Sequence, residues 1–411
     1  MAPELQNLKE SNEFLNLLLD NINSAVLIAD ENLQIHQFNN SFLNLFDTAA
    51  ECTLETGFGE ASGCVQAILE NKPCGETSQC ADCILLRSLL HNMIDNAPAH
   101  KQSLKRVFYI NGEPLTKHLQ FSTRSIMFQG QKMFLVIIYD VTDIEQQKIE
   151  LQKKQLLIDR DLESAAAIQK SLLPDKSPVI DNIQVAWTFE PCEQIGGDIF
   201  NIHHMDERNV GLYMLDVCGH GVPAALISVA VSQFLNSTDG LLGNNCELLS
   251  PEIVLNKLDH SFPFERFDSF FSIIYMTIDI KEGWLDYSCA GHPSPILLRS
   301  DGTMDFLNQR GPIIGFGSET PFGQSSIQLQ AGDRIILYTD GLIESRNTAG
   351  DYFGKPGLYD VLANHRNEPI QDMVDAVYAK IKDFRQQAAP DDDISLLALE
   401  YNGSQQLNYT V

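Results

Sequence analysis

Four aspartates in the second half of the chain stand where an apolar run meets a turn. Asp198 follows two glycines in EQIGGDIFNI, and Asp216 closes the run NVGLYMLDV. Asp340 closes GDRIILYTD, and Asp392 stands in APDDDISLLAL just ahead of an apolar run. One acid at such a place is an ordinary turn residue. Four of them read as carboxylates aimed at one point by rigid strands. Two carboxylates about 4 Å apart repel by about 4 kcal/mol at an effective dielectric near 20. Four therefore call for cations. Hard oxygen donors select Mg²⁺ or Mn²⁺, whereas zinc would want histidine or thiolate. Two such ions about 3.5–4 Å apart can clamp a phosphoryl oxygen and activate a water. The chemistry this implies is in-line hydrolysis of a phosphate ester.

The elements that must position these acids are legible nearby. In YMLDVCGHGVPAAL a strand delivers Asp216, and Gly219 and Gly221 then turn the chain into a helix beginning near Val222. His220, between those glycines, reads as a turn or helix-cap residue. His292, in CAGHPSPILL, reads as structural or as lining the cleft. Cys192, Cys246 and Cys289 have no nucleophile constellation around them and read as inert thiols.

The segments AAAIQKSLLPD, GGDIF, DVCGHGVPAAL, AGHPSP, GPIIGFG, LYTDGLIES and DDDIS occur in this order. Together they resemble the PPM (protein phosphatase 2C-like) family in its SpoIIE/RsbU branch, with the phosphatase domain at residues 178–402 and the first motif just ahead of it. The resemblance implies a metal-dependent phosphoserine/phosphothreonine protein phosphatase with an α-β-β-α sandwich of two antiparallel sheets. It implies that Asp216 bridges two Mn²⁺ or Mg²⁺ ions and that the Val217 carbonyl serves one of them. Asp340 and Asp392 complete the first ion's shell, and Asp198 serves the second, partly through water. Asp216 and Asp392 are then the catalytic acids; Asp391 and Asp393 flank the Asp-Asp-x-Ser pattern that selects Asp392. Two positions depart from the branch: Asn201 replaces a usual second acid, and Cys218 replaces a usual serine. A histidine used as general acid by eukaryotic relatives has no counterpart at the matching distance, so that role is not carried to His220. No arginine is read beside the acidic motifs, which leaves the metals to hold the phosphate. By family analogy the substrate is a phosphorylated partner protein, with a STAS-type anti-sigma-factor antagonist as the leading expectation.

Residues 14–140 form a different unit. SAVLIADENLQIHQFNNSFLNLF reads as strand, turn around Asp30 to Asn32, strand, then a helix beginning near Asn39. KHLQFSTRSIMFQGQKMFLVIIYDVTD reads as two strands joined at Gln129 to Gln131. This order, ending in IIYDVTDIEQQK, resembles a PAS sensor domain, so the whole chain reads as α+β. Within this unit Cys64, Cys74, Cys80 and Cys83 fall in one stretch rich in glycine and proline. They are candidates for a zinc or iron–sulfur site, with reduced loop thiols as the alternative.

Between the units, residues 141–175 have helix composition. Ile144, Leu151, Ile158, Ala165 and Leu172 share one heptad position, while the partner row is mostly polar at Lys148, Gln155 and Gln169. Half a coiled-coil seam fits either a homodimer or a helix packed on its own domains.

The bulk numbers close off other classes. With 55 acidic against 28 basic residues the formal net charge is −27, which argues against nucleic acid or an anionic membrane as partner. No apolar run reaches about 18 residues, so no membrane span is expected. The opening MAPELQNLKESNEF shows no secretory signal, and nine cysteines without one favour a reducing cytoplasm. Three function classes stay open: a regulated phosphatase, a pseudophosphatase acting as a binding module, and a redox or metal sensor.

Overall fold

Asp30 closes the first turn of the N-terminal unit: its carboxylate accepts the backbone N–H groups of Asn32 and Gln34, each at 2.9 Å. The turn joins β1 (Ala25–Ala29) to β2 (Ile35–Phe38). The helix Asn40–Phe46 follows, with Asn39 as its N-cap accepting from the Phe42 N–H. Asn39 is buried, because its amide also donates to the carbonyls of Leu19 and Ser24. Three longer strands complete the sheet: β3 (Ala99–Ile110), β4 (Glu113–Phe128) and β5 (Gln131–Asp140). The order is β2-β1-β5-β4-β3, with every pair antiparallel. The sequence reading has no counterpart for β3, whose exposed half (AHKQS) carries no apolar alternation. Phe42, Phe46, Phe58 and Phe108 pack as a tilted and edge-on ring cluster that fills the core.

The computed structural model describes residues 19, 21–128, 130–174, 178–237, 248–317 and 320–403. Gln129 of the expected hairpin turn, residues 175–177 at the end of the expected linker, and Cys246 lie outside the described residues. The chain divides into two compact units, Met1–Leu156 and Leu157–Val411.

A single helix, Thr142–Lys170, runs across that division. Asp140 starts it by accepting the Thr142 N–H at 2.9 Å. Only Gln169 is buried along its length. The expected apolar row is exposed at Ile144, Leu151 and Ile158, and so are Leu156, Leu157 and Ile168.

The C-terminal unit is built from β6 (Ile183–Glu190), β7 (Ile199–His204), β8 (Asn209–Val217), β9 (Phe271–Asp279) and β10 (Trp284–Ala290). It continues through β11 (Ile296–Leu298), β12 (Met304–Phe306), β13 (Ser325–Gln328), β14 (Asp333–Tyr338) and β15 (Ile394–Tyr401). These make two antiparallel sheets of order β13-β10-β9-β8-β7 and β12-β11-β14-β15-β6. Alternation on β14 and β15 explains their unbroken apolar sequences. Ile335, Leu337, Leu397 and Leu399 join the core shared with the first sheet. Ile336, Tyr338, Leu396 and Ala398 face the helices Gly354–Asn364 and Ile370–Arg385. On the other sheet, Tyr213 reaches the helix Val222–Leu235, where its hydroxyl donates to Ser232 Oγ at 2.8 Å. The layers are helix, sheet, sheet, helix, as the resemblance implied. No helix among the described residues is long and apolar enough to cross a membrane.

Candidate metal centre

All four aspartates stand at strand ends. Asp198 immediately precedes β7, Asp216 is the penultimate residue of β8, Asp340 opens the short helix after β14, and Asp392 lies two residues before β15. β7 and β8 belong to one sheet, β14 and β15 to the other, so the sandwich gathers acids from both layers.

Asp198 is the deepest. It is 2% exposed, and its Oδ2 accepts hydrogen bonds from Thr339 Oγ1 at 2.8 Å and Ser395 Oγ at 2.6 Å. Burial drives its carboxyl well above the usual range; Asp216 and Asp393 push the same way, and the two hydroxyl donors oppose them. Asp216 is pushed up to about 7 by burial, then by the carboxylates of Asp340, Asp392 and Asp393, while a hydrogen bond shared with Asp198 pulls it back. Asp392 lies nearer the surface; partial burial raises it, as do Asp340, Asp393 and Glu344, against a hydrogen bond from the Asp393 N–H. Among the described residues no lysine or arginine forms an ion pair with these four carboxylates. A convergent set of oxygen donors without a protein cation fits hard divalent ions, and it does not fit zinc.

Close backbone approach shapes the floor. A Cβ on Gly197 would lie 2.8 Å from the Val217 carbonyl oxygen, the oxygen expected to serve a metal. A Cβ on Gly341 would lie 2.2 Å from the Asp393 carbonyl oxygen. Gly219 and Gly221 adopt φ of 92° and 77°, the left-handed turn that carries the chain from β8 into its helix.

Several neighbours went unread in the sequence. Asp393 is buried and is no open ligand: its Oδ1 accepts the Cys192 N–H at 2.8 Å and its Oδ2 the Asp198 N–H at 3.1 Å. Cys192 therefore sits beside the acidic group while remaining an inert thiol. Its sulfur and carboxylate oxygens of Asp392 and Asp393 lie within 4.8 Å of one another. Burial and these acids push the thiol up to about 12, so it stays protonated. Thr339 and Ser395, the hydroxyl donors to Asp198, each adjoin an acidic motif; that adjacency was the available signal. Gln169, buried at the end of the long helix, donates to the Gly196 carbonyl at 2.7 Å and accepts the Gly196 N–H at 3.2 Å.

The two histidines take one of the readings offered for each. His220 lies in the turn and not at the cap: Gly221 holds the N-cap position, and the His220 ring pairs with Glu193 at 2.9 Å. His292 is buried, shares a 2.8 Å hydrogen bond with Ser272 Oγ, and is pulled down to about 3 by burial, hence neutral. Asn201 donates to the Leu172 carbonyl at 3.0 Å. An arginine does approach the acidic motifs in space: Arg346 Nε lies 3.6 Å from Asp391, which is exposed. In the N-terminal unit Cys64 and Cys80 are buried, Cys74 and Cys83 half-buried, and Cys52 exposed.

Residues 206–402 match the family model described as Stage II sporulation protein E (SpoIIE). Phosphoserine phosphatase RsbP of Bacillus subtilis (strain 168) is 30% identical over 250 residues, which is 59% of this chain and 58% of that protein. Phosphoserine phosphatase RsbU of the same organism is 27% identical over 248 residues, 59% of this chain and 70% of that protein. The chain thus spans less than two thirds of the length of the first of these relatives. Among solved structures, the SiaA-PP2C domain of Pseudomonas aeruginosa superposes with a TM-score of 0.52 at 20% identity, covering 60% of this chain and 98% of that one. The C-terminal unit has the PP2C-like fold, and residues 206–402 are similar to the SpoIIE family model.

Proposed function

We propose that this chain is a metal-dependent protein phosphatase of PPM type that hydrolyses phosphoserine or phosphothreonine on a partner protein. The observation that carries this reading is the convergence of Asp198, Asp216, Asp340 and Asp392 from two sheets with no protein cation among them. Asp216, the Val217 carbonyl, Asp340 and Asp392 would hold two Mn²⁺ or Mg²⁺ ions, with Asp198 beside the second. When bound, such ions polarise the phosphoryl oxygen and make a water nucleophilic near neutral pH. The protein's own part is to fix the donors. Thr339 and Ser395 hold Asp198 Oδ2, Asp393 holds the backbone at Asp198, and Gly197 clears the Val217 carbonyl. Asp216 and Asp392 are the acids whose loss should end turnover. The pseudophosphatase alternative rests on Asn201, which donates to the Leu172 carbonyl where the branch usually has an acid, and absence of metal-dependent release in the test below would favour it.

The finer features are part of the same proposal. A PAS sensor role for the N-terminal unit draws support from its strand order. A homodimer draws support from the exposed apolar row along Thr142–Lys170. A STAS-type phosphoprotein substrate and a cytoplasmic setting draw on the motif resemblance and the cysteine usage. The test is phosphate release from p-nitrophenyl phosphate with and without Mn²⁺, followed by dephosphorylation of phosphorylated STAS proteins from the same genome. Mn²⁺-dependent release from both is expected. No release from either substrate at any metal concentration would overturn the enzymatic reading.

A further inference from the structure

Four of the five cysteines of the N-terminal unit fall between residues 64 and 83, around two helix starts and the loop between them. Cys64 precedes the helix Val65–Glu70, Cys74 and Cys80 lie in the loop after it, and Cys83 precedes the helix Ile84–Asp95. Folding brings all four to the wall of one cavity, together with Phe108 and Arg106. A second apolar cavity, lined by Leu27 and Leu89, adjoins it through Cys74 and Cys83. Four thiols meeting around an internal space are unusual as plain packing, because a core would place apolar side chains there.

The surroundings place donors at the sulfurs. The Gly75 N–H donates to Cys80 Sγ at 3.2 Å, and Thr77 Oγ1 lies 2.9 Å from the same sulfur. Gly59 passes so close to Cys74 that a Cβ there would sit 3.0 Å from the sulfur. The Arg106 guanidinium is hydrogen-bonded to Cys64 and lies near Cys80 and Cys83. N–H donors to sulfur and a nearby cation offset the negative charge that a metal–thiolate site carries. The loop itself is pinned, with Ser78 donating from both its N–H and its hydroxyl to Glu70.

Four thiols with an N–H donor and a guanidinium beside them suit an iron–sulfur cluster, and the metal content measured below separates it from zinc.

We propose that Cys64, Cys74, Cys80 and Cys83 ligate an iron–sulfur cluster inside the N-terminal unit. This inference stands apart from the phosphatase reading, since iron content and phosphate release are measured separately. The test uses the full chain, purified without oxygen from iron-supplemented cells. Two or four irons per chain with equal acid-labile sulfide are expected, with a brown colour that dithionite bleaches. Cys64→Ala and Cys80→Ala should lose most of the iron, while Cys52→Ser, altered at the exposed cysteine outside the cavity, should keep it. Should the cavity variants fail to fold, wild-type protein stripped with a chelator and titrated with ferrous iron and sulfide decides the matter by recovering both colour and stoichiometry. Colourless protein holding one zinc, or protein that takes up neither iron nor sulfide, overturns the cluster.

Discussion

Asp393 Oδ2 accepts the backbone N–H of Asp198 at 3.1 Å, joining two residues 195 positions apart. The same carboxylate accepts the Cys192 N–H, so one buried acid holds both ends of the segment that carries Gly196 and Gly197. Adjacent in sequence, Asp392 and Asp393 thus differ: Asp392, a proposed ligand, is exposed, and Asp393 is a buried clasp.

The two acids should therefore respond differently to truncation. Asp392→Ala should abolish Mn²⁺-dependent turnover, as should Asp216→Ala, while leaving metal-free thermal stability unchanged or higher, because carboxylate repulsion is relieved. Asp393→Ala should leave two buried N–H groups unpaired and lower stability by about 1–3 kcal/mol, with activity falling as a consequence. Thermal unfolding and p-nitrophenyl phosphate hydrolysis, each with and without Mn²⁺, check the pair. Equal stability losses in Asp392→Ala and Asp393→Ala would contradict the division of roles.

Gly341 packs against the Asp393 carbonyl oxygen with no room for a side chain. Gly341→Ala should lower stability by about 1–3 kcal/mol through overpacking and reduce kcat by displacing Asp340. Denaturant unfolding and steady-state kinetics measure both. A variant with wild-type kcat would show that the contact relaxes without moving the acid.

Gln169 clasps Gly196 through both ends of its amide, tying the end of the long helix to the loop that precedes Asp198. Gln169→Ala should lower kcat more than it raises KM for p-nitrophenyl phosphate, since the defect lies in donor placement. A pure KM effect would mean that the amide does not position Asp198.

The same helix offers a test of signal transmission. Inserting two residues after Gln155 rotates everything downstream by about 200°, whereas inserting seven nearly restores the phase. If the helix transmits a state of the N-terminal unit, the first insertion should change basal activity or abolish the response, and the second should preserve both. Identical behaviour would make the helix a spacer. Sedimentation of the full chain tests the dimer; a strict monomer would remove it.

His203 carries a pH signature. Both ring nitrogens are buried without a partner, and burial pulls the imidazole down to about 4. Between about 6.5, its unfolded value, and 4, the unfolded chain binds the proton more readily. Stability is therefore full above pH 6.5 and falls as the pH drops toward 4. His203→Phe keeps the packing against Tyr213 and removes the titrating group. It should be neutral or stabilising near pH 7 and should flatten the acid limb. Unfolding curves across pH 4–8 decide it; an unchanged acid limb would place the titration elsewhere.

The sequence by itself determined which residues could do chemistry and where strands end. Asp198, Asp216, Asp340 and Asp392 were legible because a carboxylate at the end of an apolar run beside glycine is a local pattern, and the order of the motifs is preserved along the chain. The left-handed turn at Gly219 and Gly221 was legible for the same local reason. Only the tertiary structure decided what those residues meet. It paired Asp393 with Asp198 across two strands, turned Asn201 toward Leu172, brought Cys192 among the acids, and set Arg346 beside Asp391. It also gathered Cys64, Cys74, Cys80 and Cys83 around one cavity. Such facts arise when two sheets stack or a loop folds over a core, and they depend on distances between residues far apart in the chain, which no local pattern of residue types encodes.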